Sequence, residues 1–185
     1  LPVQSSRLHA FETSTGRKTR GILEVVVRAG RKSVTILSNH WPSQSNPDED
    51  RMRAGQLLLK VATAAQGRTD MVVAAGDFNT AADDQLNALE TLVLPAFWDA
   101  EAEALAEGVD LGAPATYSYK GVWASLDHIF IMKGSSRRMP DFSRVSIFTE
   151  NGNMIENYTY QGRNESRPVR YNSQTGAGYS DHLPM

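Results

Sequence analysis

An apolar run that ends in polar residues constrains the fold of this chain more than any other stretch. Residues 71–75 read Met-Val-Val-Ala-Ala, and Gly76, Asp77 and Asn79 follow closely. Such a run predicts a buried strand. Because residues i and i+2 of a strand point to the same side, Asp77 and Asn79 leave its end together. A carboxylate beside a carboxamide suits a metal ion or a phosphoryl group, although Gly-Asp-x-Asn is also ordinary turn chemistry.

The composition is that of an ordinary globular protein. Of 185 residues, 41% are hydrophobic and 22% are charged, and the net charge is −2. We therefore expect a single domain over residues 1–185 and no strong, purely charge-driven hold on nucleic acid. The chain has no cysteine, which excludes disulfides and thiolate metal sites. No apolar run reaches the ~18 residues that a membrane span requires.

Hydrophobic periodicity and turn residues predict alternating strands and helices. The predicted elements are strands over 21–29 and 32–38, a helix from Asn46 (N-cap) and Pro47 to about Gln66, a strand over 71–75, helices from about Ala82 and over 98–107, and strands over 116–119, 126–132 and 145–148. Gly30-Arg31 is typical of a hairpin turn. This order favours a layered α/β fold over an all-β fold.

A carboxylate lies inside the apolar stretch 126–131. Period-two alternation places Asp127 on the same face as Ile129, where it is partly buried and needs a partner. That partner is either an arginine or backbone group in a stabilising role, or a histidine that the carboxylate orients. His182 is available for the second role. Asp181 points to the opposite side if that segment is extended, which leaves it free to bind a hard cation.

Another polar cluster, Asn-His-Trp-Pro-Ser over 39–43, stands where the second predicted strand ends. His40 is able to donate to a phosphate oxygen or a leaving group, and the alternative is an ordinary surface histidine. His9 and His128 have no comparable setting, so we expect them to be structural.

Together these motifs resemble the endonuclease/exonuclease/phosphatase superfamily, which includes DNase I-like nucleases, apurinic endonucleases, sphingomyelinases and inositol polyphosphate 5-phosphatases. The resemblance rests on Asn-His-x-x-Ser, Gly-Asp-Phe-Asn, Leu-Asp-His-Ile and Ser-Asp-His-Leu-Pro in this order, with Arg20-Gly21 opening a strand, and spans residues 20–184. The motif sequences are most similar to those of a bacterial branch described as endonuclease-like. It implies a four-layer α/β sandwich, in which two packed β-sheets are flanked by helices and the site lies at strand ends.

The resemblance also implies catalytic roles. His182 would be the general base or the histidine that stabilises the transition state, and Asp127 would orient it. His40 would stabilise developing charge or assist the leaving oxygen. Such a site suits phosphoester hydrolysis, which needs charge neutralisation, an aligned water and an assisted leaving group.

The remaining implied roles concern the metal and the phosphate. Asp77 would activate the attacking water or bind a metal, Asn79 would hold a phosphate oxygen, and Asp181 would ligate Mg²⁺, with Mn²⁺ or Ca²⁺ as alternatives. The leading interpretation is a Mg²⁺-dependent nuclease acting on DNA or RNA. The alternatives are a phosphomonoesterase or lipid phosphodiesterase built on the same site, and a binding module without catalysis.

Arginines and tyrosines of the last third could track phosphates and stack on bases, or be scattered loop residues. They are Arg137, Arg138, Arg163, Arg167, Arg170, Tyr158, Tyr160 and Tyr171.

The sequence departs from the family at both ends. Family members carry an Asn and a metal-binding Glu in a segment before the Arg-Gly strand, and neither Glu12 nor Glu24 has that setting. We therefore expect a domain truncated at both ends, whose N-terminal segment is missing. A secreted or periplasmic location is compatible with the sequence, because the missing segment would carry the signal.

Overall fold

The computed structural model describes residues 1–136 and 139–185 as a mixed α/β fold. Its elements are, in chain order, β1 (Val3–Glu12), β2 (Lys18–Ala29), β3 (Lys32–His40), α1 (Asp48–Gln66), β4 (Met71–Asp77), a π-helix (Leu89–Val93), β5 (Phe97–Asp99), α2 (Ala100–Ala106), β6 (Tyr117–Tyr119), β7 (Val122–Ala124), β8 (Asp127–Met132), β9 (Ile155–Tyr160) and β10 (Arg163–Pro168). Within these described residues, no helix has both the length and the apolar character needed to cross a bilayer.

One six-stranded sheet, with the order β1-β2-β3-β4-β8-β5, carries the site. β3 and β4 pair in parallel, and the other neighbours in this sheet are antiparallel. β6–β7 and β9–β10 form two separate hairpins. Because parallel strands end at the same edge, His40 and Asp77, the last residues of β3 and β4, are direct neighbours in the register.

Apolar side chains cover both faces of β8, as the alternation of its residues requires. Phe130 and Met132 belong to the core that α1 covers. Ile129 and Ile131 pack on the other face against a second core, which includes Leu183 near the C-terminal end. Fully burying a leucine or phenylalanine is worth about 1.5–3 kcal/mol, so both cores fasten the strand that begins with Asp127.

The β1–β2 end of the sheet is covered on one face only. Ile22 belongs to the α1-side core and is 3% exposed. Leu23 and its cross-strand partner Leu8 point to the opposite face, where they are 41% and 66% exposed. In the described part of the chain, the strands outside the large sheet form only the two small hairpins, and these do not cover this pair.

The hairpin of β2 and β3, helix α1 and strands β4 and β8 confirm the corresponding predictions. Ala29 pairs with Lys32 across the predicted turn, and α1 ends at Gln66. The predicted N-cap is wrong by one residue, because Pro47 occupies that position without a side-chain cap. The Asn46 carboxamide instead donates to the Ser43 carbonyl at 3.1 Å.

The predicted helix from Ala82 is wrong in its first part. Residues 82–88 are mostly turns, and only Leu89–Val93 is helical, as a π-helix. Side chains of α1 reach into this loop: Arg51 pairs with Asp84 at 3.0 Å, and the Asp48 carboxylate accepts the Leu86 N–H at 3.3 Å. These bonds take the place of regular helical backbone bonds.

The predicted helix over 98–107 begins later than expected. Its first residues belong to β5, and α2 starts only at Ala100, where the Asp99 carboxylate accepts the Glu101 N–H at 3.0 Å. Asp99 thus ends one element and caps the next, which is a usual role of aspartate.

Strands β1, β9 and β10 are absent from the prediction, because their residues are mostly polar or exposed. The three-residue strand β7, which pairs with β6, is absent too, because its first residues were expected to be a connection. The predicted strand over 145–148 is wrong. Ile147 is buried and its N–H donates to the Leu111 carbonyl, but the segment is irregular. The apolar pattern of this segment therefore reflects burial in the second core and not strand pairing.

Candidate active site

A hydrogen-bonded histidine and aspartate stand at the centre of the candidate site. His182 Nδ1 lies 2.6 Å from Asp127 Oδ2, and the two side chains are 23% and 21% exposed. Burial lowers the pKa of His182, but the hydrogen bond and the charge of Asp127 outweigh burial and raise this pKa above its usual value. With Nδ1 engaged, Nε2 is left to accept a proton from a water or a substrate.

Thr116 links the two segments that carry this pair. Its buried Oγ1 accepts the N–H groups of Leu126 and Asp127 at 3.1 and 3.2 Å. Its carbonyl accepts the N–H of Leu183 at 2.7 Å, and the Leu183 side chain is 1% exposed. Burial of Leu183 and the bonds to Thr116 therefore fix His182 relative to Asp127.

Asp77 ends β4 directly opposite Asp127 in the antiparallel register of β4 and β8. Its Oδ1 accepts the Asn79 backbone N–H and its Oδ2 accepts the Asn79 carboxamide, both at 2.8 Å. Burial and, to a lesser extent, the Asp127 charge raise the pKa of Asp77, although the bond from the Asn79 N–H opposes this rise. Two facing carboxylates therefore make this site electrostatically receptive to a cation.

The Asn79 carboxamide is engaged within the protein. Its Nδ2 donates to Asp77 Oδ2 and, at 3.2 Å, to the Trp41 carbonyl, and the residue is 8% exposed. These two bonds use both N–H groups of the amide. In this arrangement the Asn79 carboxamide holds Asp77 in place. A hydrogen bond from Asn79 to a phosphate would have to replace one of these two bonds. The predicted phosphate contact stays a prediction.

Gly76 sets the spacing between β3 and β4 just before the site. Its φ is +130°, and a Cβ added there would lie 2.0 Å from the Asn39 carbonyl oxygen. A side chain at this position would therefore push the two strands apart. The close approach fixes His40 opposite Asp77.

His40 lies beside Asp77, and Arg20 lines the same cleft. The distance from His40 Nε2 to Asp77 Oδ2 is 3.5 Å, and the His40 side chain is 47% exposed. Burial and the charge of Arg20 lower the pKa of His40, in spite of the opposing charges of Asp77 and Asp127. The neutral imidazole is thus favoured, and it can donate one hydrogen bond.

The cleft has a volume of about 970 Å³ and an open mouth. All six predicted site residues line it, namely His40, Asp77, Asn79, Asp127, Asp181 and His182. Tyr117, Tyr119 and the loop 43–45 also line it. Ser43 belongs to the Asn-His-x-x-Ser motif, whereas Gln44, Ser45 and Tyr117 carry no motif, and Arg20 was noted only as the opening of a strand.

Among the described residues, Asp77, Asp127 and His182 are the one group whose ligand atoms lie close enough to share a metal ion, all within 4.8 Å of one another. Two carboxylates are a donor set that Mg²⁺ uses when waters complete its shell, so these residues fit a divalent cation. Asp181 lines the cleft outside this group. Its predicted role as a ligand stays a prediction.

His128 lies next to Asp127 but points to the other face of β8. Its Nδ1 is 2.9 Å from Asp99 Oδ2, and its Nε2 is 3.2 Å from the Ser125 carbonyl. Both neighbours are acceptors, so the ring satisfies both only when it is doubly protonated. Burial lowers the pKa of His128, but Asp99 and then Glu101 outweigh burial and raise it. This buried pair fastens the turn before Asp127.

Two residues of the predicted arginine and tyrosine surface, Arg167 and Tyr158, are engaged in internal contacts. The Arg167 guanidinium lies 4.5 Å from the ring centroid of Tyr158 and pairs with Glu156 at 2.8 Å. Arg137 and Arg138 lie outside the described residues.

In this mixed α/β fold, the ends of the sheet strands bring a histidine and aspartates together at a site that is receptive to a cation. This fold and this site define a hydrolase-like class of domain. The chain belongs to the endonuclease/exonuclease/phosphatase family, whose model matches residues 2–185. The predicted family and fold class are thereby confirmed. No curated protein sequence matches the chain.

Solved structures share the fold at low sequence identity. The human Nocturnin catalytic domain with bound sulfate anion has a TM-score of 0.58 and 16% identity, and the match covers 98% of this chain and 57% of that one. D. rerio TDP2 complexed with single strand DNA product has a TM-score of 0.56 and 17% identity, with 98% and 65% covered. A family protein from Leptotrichia buccalis has a TM-score of 0.53 and 18% identity, with 98% and 60% covered. The chain thus spans less than two thirds of these structures.

Proposed function

We propose that this protein is a divalent-metal-dependent phosphodiesterase that cleaves DNA or RNA by water attack. The observation that carries the proposal is the His182–Asp127 pair beside Asp77 in an open cleft. Family membership supports hydrolysis of phosphate esters with a divalent metal. A nucleic-acid substrate is supported by a similar fold that has been solved with a single-stranded DNA product.

In the proposed mechanism His182 is the general base. Its Nε2 takes a proton from the attacking water, while Asp127 holds the ring through Nδ1 and stabilises the imidazolium that forms. The raised pKa of His182 favours this proton transfer. Thr116 keeps both residues in position.

The other side of the cleft would receive the phosphate. Asp77, held by Asn79, orients the water or contributes to the metal site. Neutral His40 donates a hydrogen bond to a phosphate or leaving oxygen, and Arg20 adds positive charge nearby.

Asp77 and Asp127 would hold the cation, with Asp181 as an additional ligand from the rim. When bound, Mg²⁺ supplies charge neutralisation for the phosphate oxygens, and Mn²⁺ or Ca²⁺ are alternatives.

The test is cleavage of plasmid and of labelled oligonucleotides with Mg²⁺, with and without EDTA. We expect EDTA to abolish cleavage, and His182→Ala to reduce it roughly 10²–10⁴-fold, the usual contribution of a general base. Asp83→Asn, an exposed acid away from the cleft, is the matched control. Cleavage at the wild-type rate in His182→Ala, or cleavage that persists in EDTA, would refute the mechanism.

The substrate assignment needs a separate arm. A phosphomonoester and a choline or inositol phospholipid are assayed with the same variants, both for this chain and for a longer form that includes preceding sequence. Hydrolysis of one of these, without any cleavage of nucleic acid, would replace the nuclease assignment by the corresponding phosphoesterase. Absence of hydrolysis in the longer form, combined with retained binding, would favour a non-catalytic module.

A further inference from the structure

The β6–β7 hairpin holds an exposed aromatic ring at the rim of the cleft. Tyr117 and Tyr119 lie two residues apart on β6 and both line the cleft, so they share one side of the strand. Tyr117 packs against His182, with 4.8 Å between ring centroids. Tyr119 is 55% exposed and contacts no other ring in the described part of the chain. It stands one strand repeat, about 7 Å, from the residue that touches the catalytic histidine.

This hairpin is firmly attached to the rest of the domain. Ser118 is buried on the opposite side and donates to the Ser166 carbonyl at 3.0 Å, and Trp123 Nε1 donates to Ser166 Oγ at 3.3 Å. The turn residues Lys120 and Gly121 both have positive φ, 52° and 81°, as a two-residue hairpin turn prefers. The ring of Tyr119 is therefore presented by a rigid support, and binding to it costs little conformational entropy.

A positive charge accompanies the ring. Lys120 Nζ lies 5.0 Å from the centroid of the Tyr119 ring, and Lys120 is exposed. Lys120 thus lies over one face of the exposed Tyr119 ring. An exposed aromatic ring with a cation beside it is complementary to a planar base followed by a phosphate. Because Tyr119 stands one strand repeat beyond the residue that touches His182, a base on its ring would lie beside the phosphate that would be cleaved.

We propose that Tyr119 and Lys120 form a nucleobase-stacking subsite that makes this enzyme select unpaired nucleic acid. The inference rests on the proposed function, because it deepens the substrate assignment of the same cleft. A base can lie against a side chain at the rim only when it has left its own stack, so single strands or frayed ends are the expected ligands.

The same surface is less suited to a lipid bilayer. The two residues at the hairpin tip are Lys120 and Gly121, and the single exposed aliphatic residue of the hairpin is Val122. An apolar tip, which a membrane-entering hairpin would need, is therefore missing from the described hairpin. Vesicle binding nevertheless belongs in the test as the competing outcome.

The test measures binding in EDTA, where hydrolysis does not interfere. Fluorescence anisotropy compares labelled oligothymidylate with the same backbone carrying abasic tetrahydrofuran residues. We expect the 185-residue chain to prefer the base-bearing strand. Tyr119→Ala should weaken that binding about 5- to 150-fold, the range for loss of one stacked base, and leave abasic binding unchanged.

Matched variants separate stacking from other effects. Tyr119→Phe and Tyr119→Trp should retain the preference, whereas Tyr119→Leu, which is apolar but not aromatic, should lose most of it. Because Tyr119 is exposed, all four variants should have wild-type thermal unfolding midpoints. Lys120→Ala should weaken the binding of both oligonucleotides and reduce the dependence of that binding on salt.

Three results would overturn the inference. They are equal affinity of the wild type for the two oligomers, unchanged binding in Tyr119→Ala, and a loss in that variant confined to anionic phospholipid vesicles. Failure of the proposed function has a different signature: base-dependent binding persists, but neither this chain nor a longer form cleaves the oligonucleotide.

Discussion

His182 Nδ1 and Asp127 Oδ2 lie 2.6 Å apart although the two residues are 55 positions apart in the chain. Asp127 opens a strand that both cores hold, whereas His182 lies in an irregular segment. The geometry of the pair therefore depends on the bonds that connect these two segments.

Removing the charge of Asp127 should change the basicity of His182. The carboxylate raises the pKa of His182, so Asp127→Asn should lower it, as measured by NMR titration of the ring in EDTA. Phosphodiester hydrolysis with Mg²⁺ should fall roughly 10²–10⁴-fold. Asp83→Asn, which removes a distant charge, should change neither value. An unchanged His182 pKa in Asp127→Asn would contradict the pairing.

Loss of the Thr116 hydroxyl should uncouple the two segments. Thr116→Val leaves the N–H groups of Leu126 and Asp127 without their acceptor, which should cost roughly 1–3 kcal/mol in the free energy of unfolding. We also expect a lower kcat with little change in KM, because His182 and Asp127 lose their alignment. Thr116→Ser keeps the oxygen and should recover most of the kcat. If serine and valine behave alike, the hydroxyl has no positioning role.

The glycine at the end of β4 should tolerate no side chain. Gly76→Ala places a Cβ 2.0 Å from the Asn39 carbonyl oxygen at a φ of +130°. We expect at least about 1–3 kcal/mol of destabilisation from the backbone conformation alone, seen as a lower urea midpoint. Gly67→Ala is the control, because nothing lies within 4 Å of its added Cβ and its φ is −80°. Equal midpoints in the two variants would contradict the close approach.

Acid should remove a contribution of Glu24 to stability. Burial opposes its ionisation, but bonds with His9 at 2.7 Å and Arg68 at 2.9 Å outweigh burial and lower its pKa below the ordinary 4.5. The contribution is thus complete above pH 4.5 and is lost as pH falls through the lower, folded-state pKa.

The measurement is urea unfolding of wild type and Glu24→Gln between neutral pH and pH 3. At neutral pH the variant should be less stable by roughly 1–3 kcal/mol. The two curves should converge as the solution is acidified. A constant difference across the series would show that Glu24 acts through packing and not through its charge.

The sequence predicted those parts of the site whose signal is local. Asp77 ends an apolar run and Asp127 interrupts one, so strand periodicity gives their direction. Asn79 lies beyond the end of β4 with a φ of 49° and donates back to Asp77, which is the turn chemistry that Gly-Asp-x-Asn also allows. The cost of burying a carboxylate predicted a partner for Asp127 but left an arginine, a backbone group or a histidine open. The family resemblance selected His182 among these.

Other features depend on contacts that no local pattern encodes. Thr116 looks like any strand threonine, because its role comes from accepting N–H groups ten and eleven residues away. Tyr119 becomes a rim residue only through the position of its hairpin. The turns after Ala82 result from side chains of α1, among them Arg51, which replace the backbone bonds of a helix.

Because β3 and β4 pair in parallel register, the site depends more on the number of residues in these strands than on their identity. His40 faces Asp77 because seven consecutive residue pairs, beginning with Val34 and Met71, align the two strands. A single inserted or deleted residue in either strand would turn every later side chain to the other face, whatever its identity. Relatives with altered interior residues can therefore keep His40 opposite Asp77. A shift of the strand register by one residue should eliminate this arrangement.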